Sequence, residues 1–152
     1  MRSKSPLALM EQLVMVLVFA LAAALCLRAF VLADQTSRHH ADVDRAVLLC
    51  QNAAETLKAT GLPMAEAQET VMAEMGGMMR QGLLQICYDE EWNPLSDNTA
   101  GCAYVLDIQG VPADVEGLWK AYIRVAAEED ISVGGSGESL FELYVAWQEV
   151  GA

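Results

Sequence analysis

Hydrophobic positions follow three patterns along the chain, and each predicts a different element. From Leu13 to Leu27 the sequence LVMVLVFALAAALCL contains no polar side chain. With Leu7–Met10 before it and Ala29–Ala33 after it, this tract is broken only by Glu11, Gln12 and Arg28. At about 1.5 Å rise per residue, a helix over 7–33 can cross a hydrocarbon core of about 30 Å. From Asp34 to Ala59 the pattern becomes amphipathic: Val43, Val47, Cys50, Ala54 and Leu57 recur at steps of three and four. That spacing gathers them on one helical face. Neither glycine nor proline separates the two stretches, so the reading is one long helix from about Leu7 to Ala59. Gly61 and Pro63 end it.

Pro63 to Met75 predicts a short second helix with Met64, Ala67, Val71 and Met75 inward, stopped by Gly76-Gly77. After Arg80 the period shortens to two. Leu84, Ile86 and Tyr88 mark a first strand, and Tyr104, Leu106 and Ile108 a second. Trp119, Ala121, Ile123 and Val125 mark a third, and Phe141, Leu143, Val145 and Trp147 a fourth. Trp92-Asn93-Pro94 to Gly101, Gly110 with Pro112, and Val133–Gly137 supply the connections. The fold class expected is therefore α+β, a long amino-terminal helix packed on a four-stranded antiparallel meander with one apolar face. The segments are a basic leader over 1–6, a transmembrane helix over 7–33 and its amphipathic continuation over 34–59. A short helix and connection over 60–79 and a sheet-bearing head over 80–152 complete the chain.

Charge sharpens that division. The 152 residues carry a formal net charge of −12, yet residues 1–33 set Arg2, Lys4 and Arg28 against Glu11, a net +2. Residues 34–152 set six Lys/Arg against twenty Asp/Glu, a net −14. Such a surface excludes a nucleic-acid binder that tracks phosphates, because clustered cations are lacking. Cations before the apolar tract predict a cytoplasmic amino terminus and an extracytoplasmic carboxy-terminal domain in a single-pass cell-membrane protein. The alternative is a secreted binding or inhibitory domain whose front end is a cleaved signal, cut after Val31-Leu32-Ala33 or Ala22-Ala23-Ala24. Leu25 disfavours a lipoprotein site at Cys26.

Candidate chemistry is sparse. His39 and His40 are adjacent, hence about 100° apart on a helix, and do not chelate one ion together. The runs Asp89-Glu90-Glu91 and Glu128-Glu129-Asp130 lack the spaced oxygen ligands of a calcium loop and read as solvated turns. Met64, Met72, Met75, Met78 and Met79 read as core filler rather than a soft-metal site. Cys26, Cys50, Cys87 and Cys102 show no zinc spacing. Cys87 and Cys102 flank the first hairpin connection, where an exported domain permits a disulfide. No nucleophile elbow, phosphate loop or paired acid–base constellation is present. The expectation is no enzyme, no catalytic residue, no metal and no cofactor.

The remaining feature is Glu11, a carboxylate near the start of an apolar helix, where it either finds a partner or sits at headgroup level. The run Lys4-Ser5-Pro6-Leu7-Ala8-Leu9-Met10-Glu11-Gln12-Leu13, followed by the apolar tract, resembles the amino terminus of type IV pilins and pseudopilins. In this alignment Pro6 stands where the family has glycine before its cleavage point, and Leu7 stands where phenylalanine is common. The resemblance implies a processing region at Pro6 and Leu7 and an assembly contact at Glu11. It also implies a helix that continues into a soluble half with an antiparallel sheet packed on it. The implied partners are the membrane, other pilin-like subunits and assembly-platform proteins of a pilus, competence or type II secretion-like system. A membrane-anchored accessory protein that never polymerises is the other reading of the same features.

Overall fold

The computed structural model describes residues 5–95, 101–127 and 139–149, with side chains from Ala8 onward. The leader cations Arg2 and Lys4, the Glu128–Asp130 run and the Val133–Gly137 turn lie outside the described residues, as does part of the 92–101 connection. Helix α1 spans Ser5–Thr60, and α2 spans Met64–Met75. Five strands follow: β1 Met78–Arg80, β2 Leu83–Tyr88, β3 Tyr104–Val111, β4 Leu118–Ala127 and β5 Ser139–Gln148. They pair antiparallel in the order β1-β2-β3-β4-β5, a meander. The architecture is α+β, with a long amino-terminal helix and an antiparallel sheet.

The sheet has five strands where alternation predicts four. The extra strand is β1, hidden because three residues are too few to show a period. Its hairpin to β2 is a two-residue turn, Gln81 at φ 51° and Gly82 at φ 83°. Two consecutive left-handed residues match the twist of the flanking strands, and the turn sets Arg80 opposite Leu83. Upstream, Gly77 sits at φ 106°, and a Cβ there would come within 2.6 Å of the Gln85 carbonyl oxygen. Glycine is required at this point by both conformation and space.

The chain divides into two units, Met1–Ala41 and Asp42–Ala152. The division falls within α1, eight residues after the predicted end of the apolar tract at Ala33. Residues 34–41 are exposed throughout, so the amphipathic face begins only at Asp42. Within the second unit Ala46, Cys50, Ala53, Ala54 and Leu57 are buried, whereas Val43 and Val47 are half-buried. The core of this unit joins them to Met64, Ala67 and Val71 of α2 and to one face of the sheet. That face carries the predicted set: Leu84 and Ile86, Leu106 and Ile108, Ile123 and Val125, Val145 and Trp147. Cross-strand register keeps the set together, with Ile86 opposite Leu106 and Leu106 opposite Val125. Gly110 in β3 leaves room for Met64, whose Cγ would lie 3.1 Å from an added Cβ. Gln68, only 3% exposed, is satisfied there by donating to the carbonyls of Gly82 and Ile108.

Candidate functional site

Among the described residues the first unit is one stretch of helix, apolar up to Ala33, whose side chains from Ala8 to Ala41 are all exposed. Leu13, Val16, Phe19, Leu25, Leu27 and Phe30 are each more than 60% exposed. Burying that much apolar surface is worth roughly 25 cal/mol per Å², and no described residue of this unit supplies the burial. One helix is thus long and apolar enough to cross a membrane. Glu11 lies on it in an open, mainly apolar groove of about 570 Å³ that it shares with Met10, Val14, Met15 and Val18. Glu11, Val14, Met15 and Val18 stand at i, i+3, i+4 and i+7, the spacing that one neighbouring helix covers, with Met10 beside them. Pro6 and Leu7 fall in the first turn of α1, where a proline forfeits no intrahelical hydrogen bond.

Beyond the apolar tract the helix surface is polar on every side. Arg38 pairs with Asp34 one turn back at 3.0 Å, both side chains exposed, a contact worth little in water. The Thr36 hydroxyl donates to the Leu32 carbonyl at 2.9 Å. His39 and His40 have ring centroids 6.2 Å apart and are both exposed.

In the second unit the acidic run at Asp89 does organise a turn. The Asp89 carboxylate accepts from the backbone N–H groups of Glu91 and Asn93 at 3.0 and 2.8 Å. Those bonds, Asn93 foremost, hold its carboxyl below the usual carboxylate range. The turn throws Trp92 into a left-handed conformation, φ 66°. Trp92 then stacks on Tyr104 at 3.9 Å and donates its indole N–H to Asp42 at 3.2 Å. Among the described residues no group of three or more His, Cys, Asp or Glu is placed to hold a metal ion.

The cysteines are not opposed in the sheet. Cys87 faces Val105 in register, and Cys102 precedes β3 with its thiol donating to the Tyr104 carbonyl at 3.4 Å. Both nevertheless share one small buried cluster with Val105, and Leu95 packs against it; Cys87 is a thiol. Cys50 lies in the main core, and burial pushes its thiol up to about 12. Such a group is an inert packing residue rather than a nucleophile.

One polar constellation was not anticipated. On the sheet face away from the helices, Gln85, Asp107, Arg124 and Glu142 stand opposite one another across four strands. Asp107, 4% exposed, accepts from Gln85 at 2.9 Å and from Arg124 at 3.0 Å. The next row brings Tyr122 against Tyr144, ring centroids 4.9 Å apart, with the Tyr122 hydroxyl donating to Glu142. The signal available in the sequence was a carboxylate in the middle of an apolar strand, Val105-Leu106-Asp107-Ile108, which demands a partner.

No family model, curated protein or solved structure matches this chain. Its functional reading therefore stands on its own residues.

Proposed function

We propose that this protein is a non-enzymatic, pilin-like single-pass membrane subunit, with its amino terminus cytoplasmic and its acidic domain outside. In this reading it is a minor pilin or pseudopilin of a type IV pilus, competence or type II secretion-like assembly. The observation that carries the reading is a lone carboxylate, Glu11, set in an apolar groove near the start of an apolar helical tract whose described side chains are all exposed. Support comes from the continuation of that helix into the face that covers an antiparallel sheet. A side chain of this kind in lipid is costly unless partnered, so its position favours a contact made on assembly. The work is then lateral packing of apolar helices, with Glu11 as its polar contact.

Replacing Glu11 with Ala tests this directly. Recovery of partner pilin-like chains with the full-length protein from solubilised membranes should fall about tenfold, the scale of one interhelical polar contact. The melting of the second unit should not change. Undiminished recovery sinks the reading. The rival, a secreted domain with a cleaved front end, has its own observation in the self-contained core of Asp42–Ala152. Intact mass of the native protein separates the two: loss of residues through Ala33 supports secretion, and a retained tract supports the membrane subunit.

A further inference from the structure

Two charged side chains, Glu11 and Arg28, occupy the apolar tract from Leu7 to Ala33, and they are opposite in sign. Both lie on the first unit's helix and both are exposed. Seventeen residues separate them, so they stand about 25 Å apart along the axis and cannot meet within one chain. Around the axis the same spacing sets them about 100° apart, on different faces. Among the described residues the ion pairs are Arg38–Asp34, Lys120–Asp114 and Arg124–Asp107, and neither Glu11 nor Arg28 takes part.

We propose that Glu11 of one copy pairs with Arg28 of a second copy displaced outward or inward by about 25 Å, a spacing that follows from the helical rise. The inference rests on the membrane-subunit reading and adds the identity of the partner group. While two copies sit level in a bilayer, each charge lies near opposite headgroup layers and can be hydrated there. A copy lifted outward carries its Glu11 to the level of Arg28 on a copy still in the membrane. Lifting removes Glu11 from the cytoplasmic headgroups, and the pair replaces that hydration. The groove of Met10, Val14, Met15 and Val18 seats the neighbouring helix around the contact. Ala24, one turn before Arg28, leaves space for the approach. Because each copy uses two different faces, the contact is heterologous and repeats into an open array rather than closing a dimer.

A charge exchange in the full-length protein tests the pairing. Glu11→Arg and Arg28→Glu should each lower recovery of a second, differently tagged copy of the same variant about tenfold, and the double exchange should restore it to within about threefold. If Glu11 instead meets the amino-terminal cations of its neighbour, Arg28→Ala leaves assembly intact and the exchange rescues nothing; either result overturns the proposal. Arg28→Glu also alters the charge that follows the span, so a second measurement separates pairing from insertion. In a Cys26→Ala background, co-expressed Glu11→Cys and Arg28→Cys copies should form a mixed disulfide on oxidation of intact membranes. A mixed disulfide no more abundant than one between Glu11→Cys and Leu21→Cys overturns the pairing. Failure of Glu11→Ala to impair assembly would remove the underlying reading, whereas failure of the exchange alone removes only this partner.

Discussion

The two units are built from similar apolar side chains, yet they treat them in opposite ways. In Met1–Ala41 the described leucines, valines and phenylalanines are exposed on every side of one helix. In Asp42–Ala152 the same residue types close on each other: Leu57, Leu84, Ile86, Leu106, Ile108 and Ile123 are fully buried. The difference teaches that hydrophobic content does not specify a core. A core needs polar positions interleaved at the helical or strand period, so that the apolar ones converge while the backbone stays hydrogen-bonded. The α1 tract up to Ala33 lacks that interleaving; it is long and apolar enough to cross a membrane, and its described side chains stay exposed.

Truncation breaks this comparison most sharply. Leu57→Ala should cost roughly 2–5 kcal/mol of stability in the second unit, seen as a fall in denaturation midpoint. Leu17→Ala, at a residue 55% exposed on the same helix, should change that midpoint by less than about 0.5 kcal/mol. Equal effects would mean that the first unit supports the second, against a division after Ala41.

A smaller effect is expected at the glycines that lead into β1, the strand that periodicity missed. Gly77→Ala forces a Cβ into the Gln85 carbonyl at a φ of 106°, and should cost about 1–3 kcal/mol. Gly76→Ala meets nothing within 4 Å, so it carries only the strain of a glycine-type backbone (φ 82°, ψ −163°) and should cost less, about 1–2 kcal/mol. Urea midpoints of the two variants give the ordering, and a reversed order would move β1 away from its position beside β2.

The mildest effect is alkaline. Burial raises the Cys50 thiol from 9.0 to about 12 and the Tyr88 hydroxyl from 10.0 to about 12. A raised folded value means that the neutral forms stabilise the second unit fully below the unfolded values. That stability drains away as pH climbs from about 9 towards 12. Thermal melts across this window should fall progressively, and Cys50→Ala should flatten the lower part of the fall. The first unit's helicity in micelles should show no matching loss over the same range.

How much was legible depends on whether a feature is local. The apolar tract, the α1 face at Cys50, Ala54 and Leu57, the second helix and four strands all announce themselves by spacing within a few residues. Strand β1 does not, because Met78–Arg80 is too short to show a period and Gln81-Gly82 lacks the usual asparagine or aspartate before its glycine. Gln68 reads as an ordinary surface residue until the carbonyls of Gly82 and Ile108 close over it. Of the candidate site, Glu11 was visible as a charge in an apolar run, whereas its groove depends on side chains arranged around a helical turn.

The sequence by itself determined what is periodic: where the chain is apolar enough to cross a membrane, which faces of α1 and the strands turn inward, and where glycine must break an element. Tertiary structure alone decided the contacts between distant residues. Register across strands brought Gln85, Asp107 and Arg124 together, and a left-handed turn at Trp92 carried its indole to Asp42 fifty positions earlier. The reason is physical. Hydrophobic periodicity needs only side-chain direction along one element, whereas pairing Asp107 with Arg124 needs the strands aligned to the residue, since a slip of one position would turn the arginine to the opposite face.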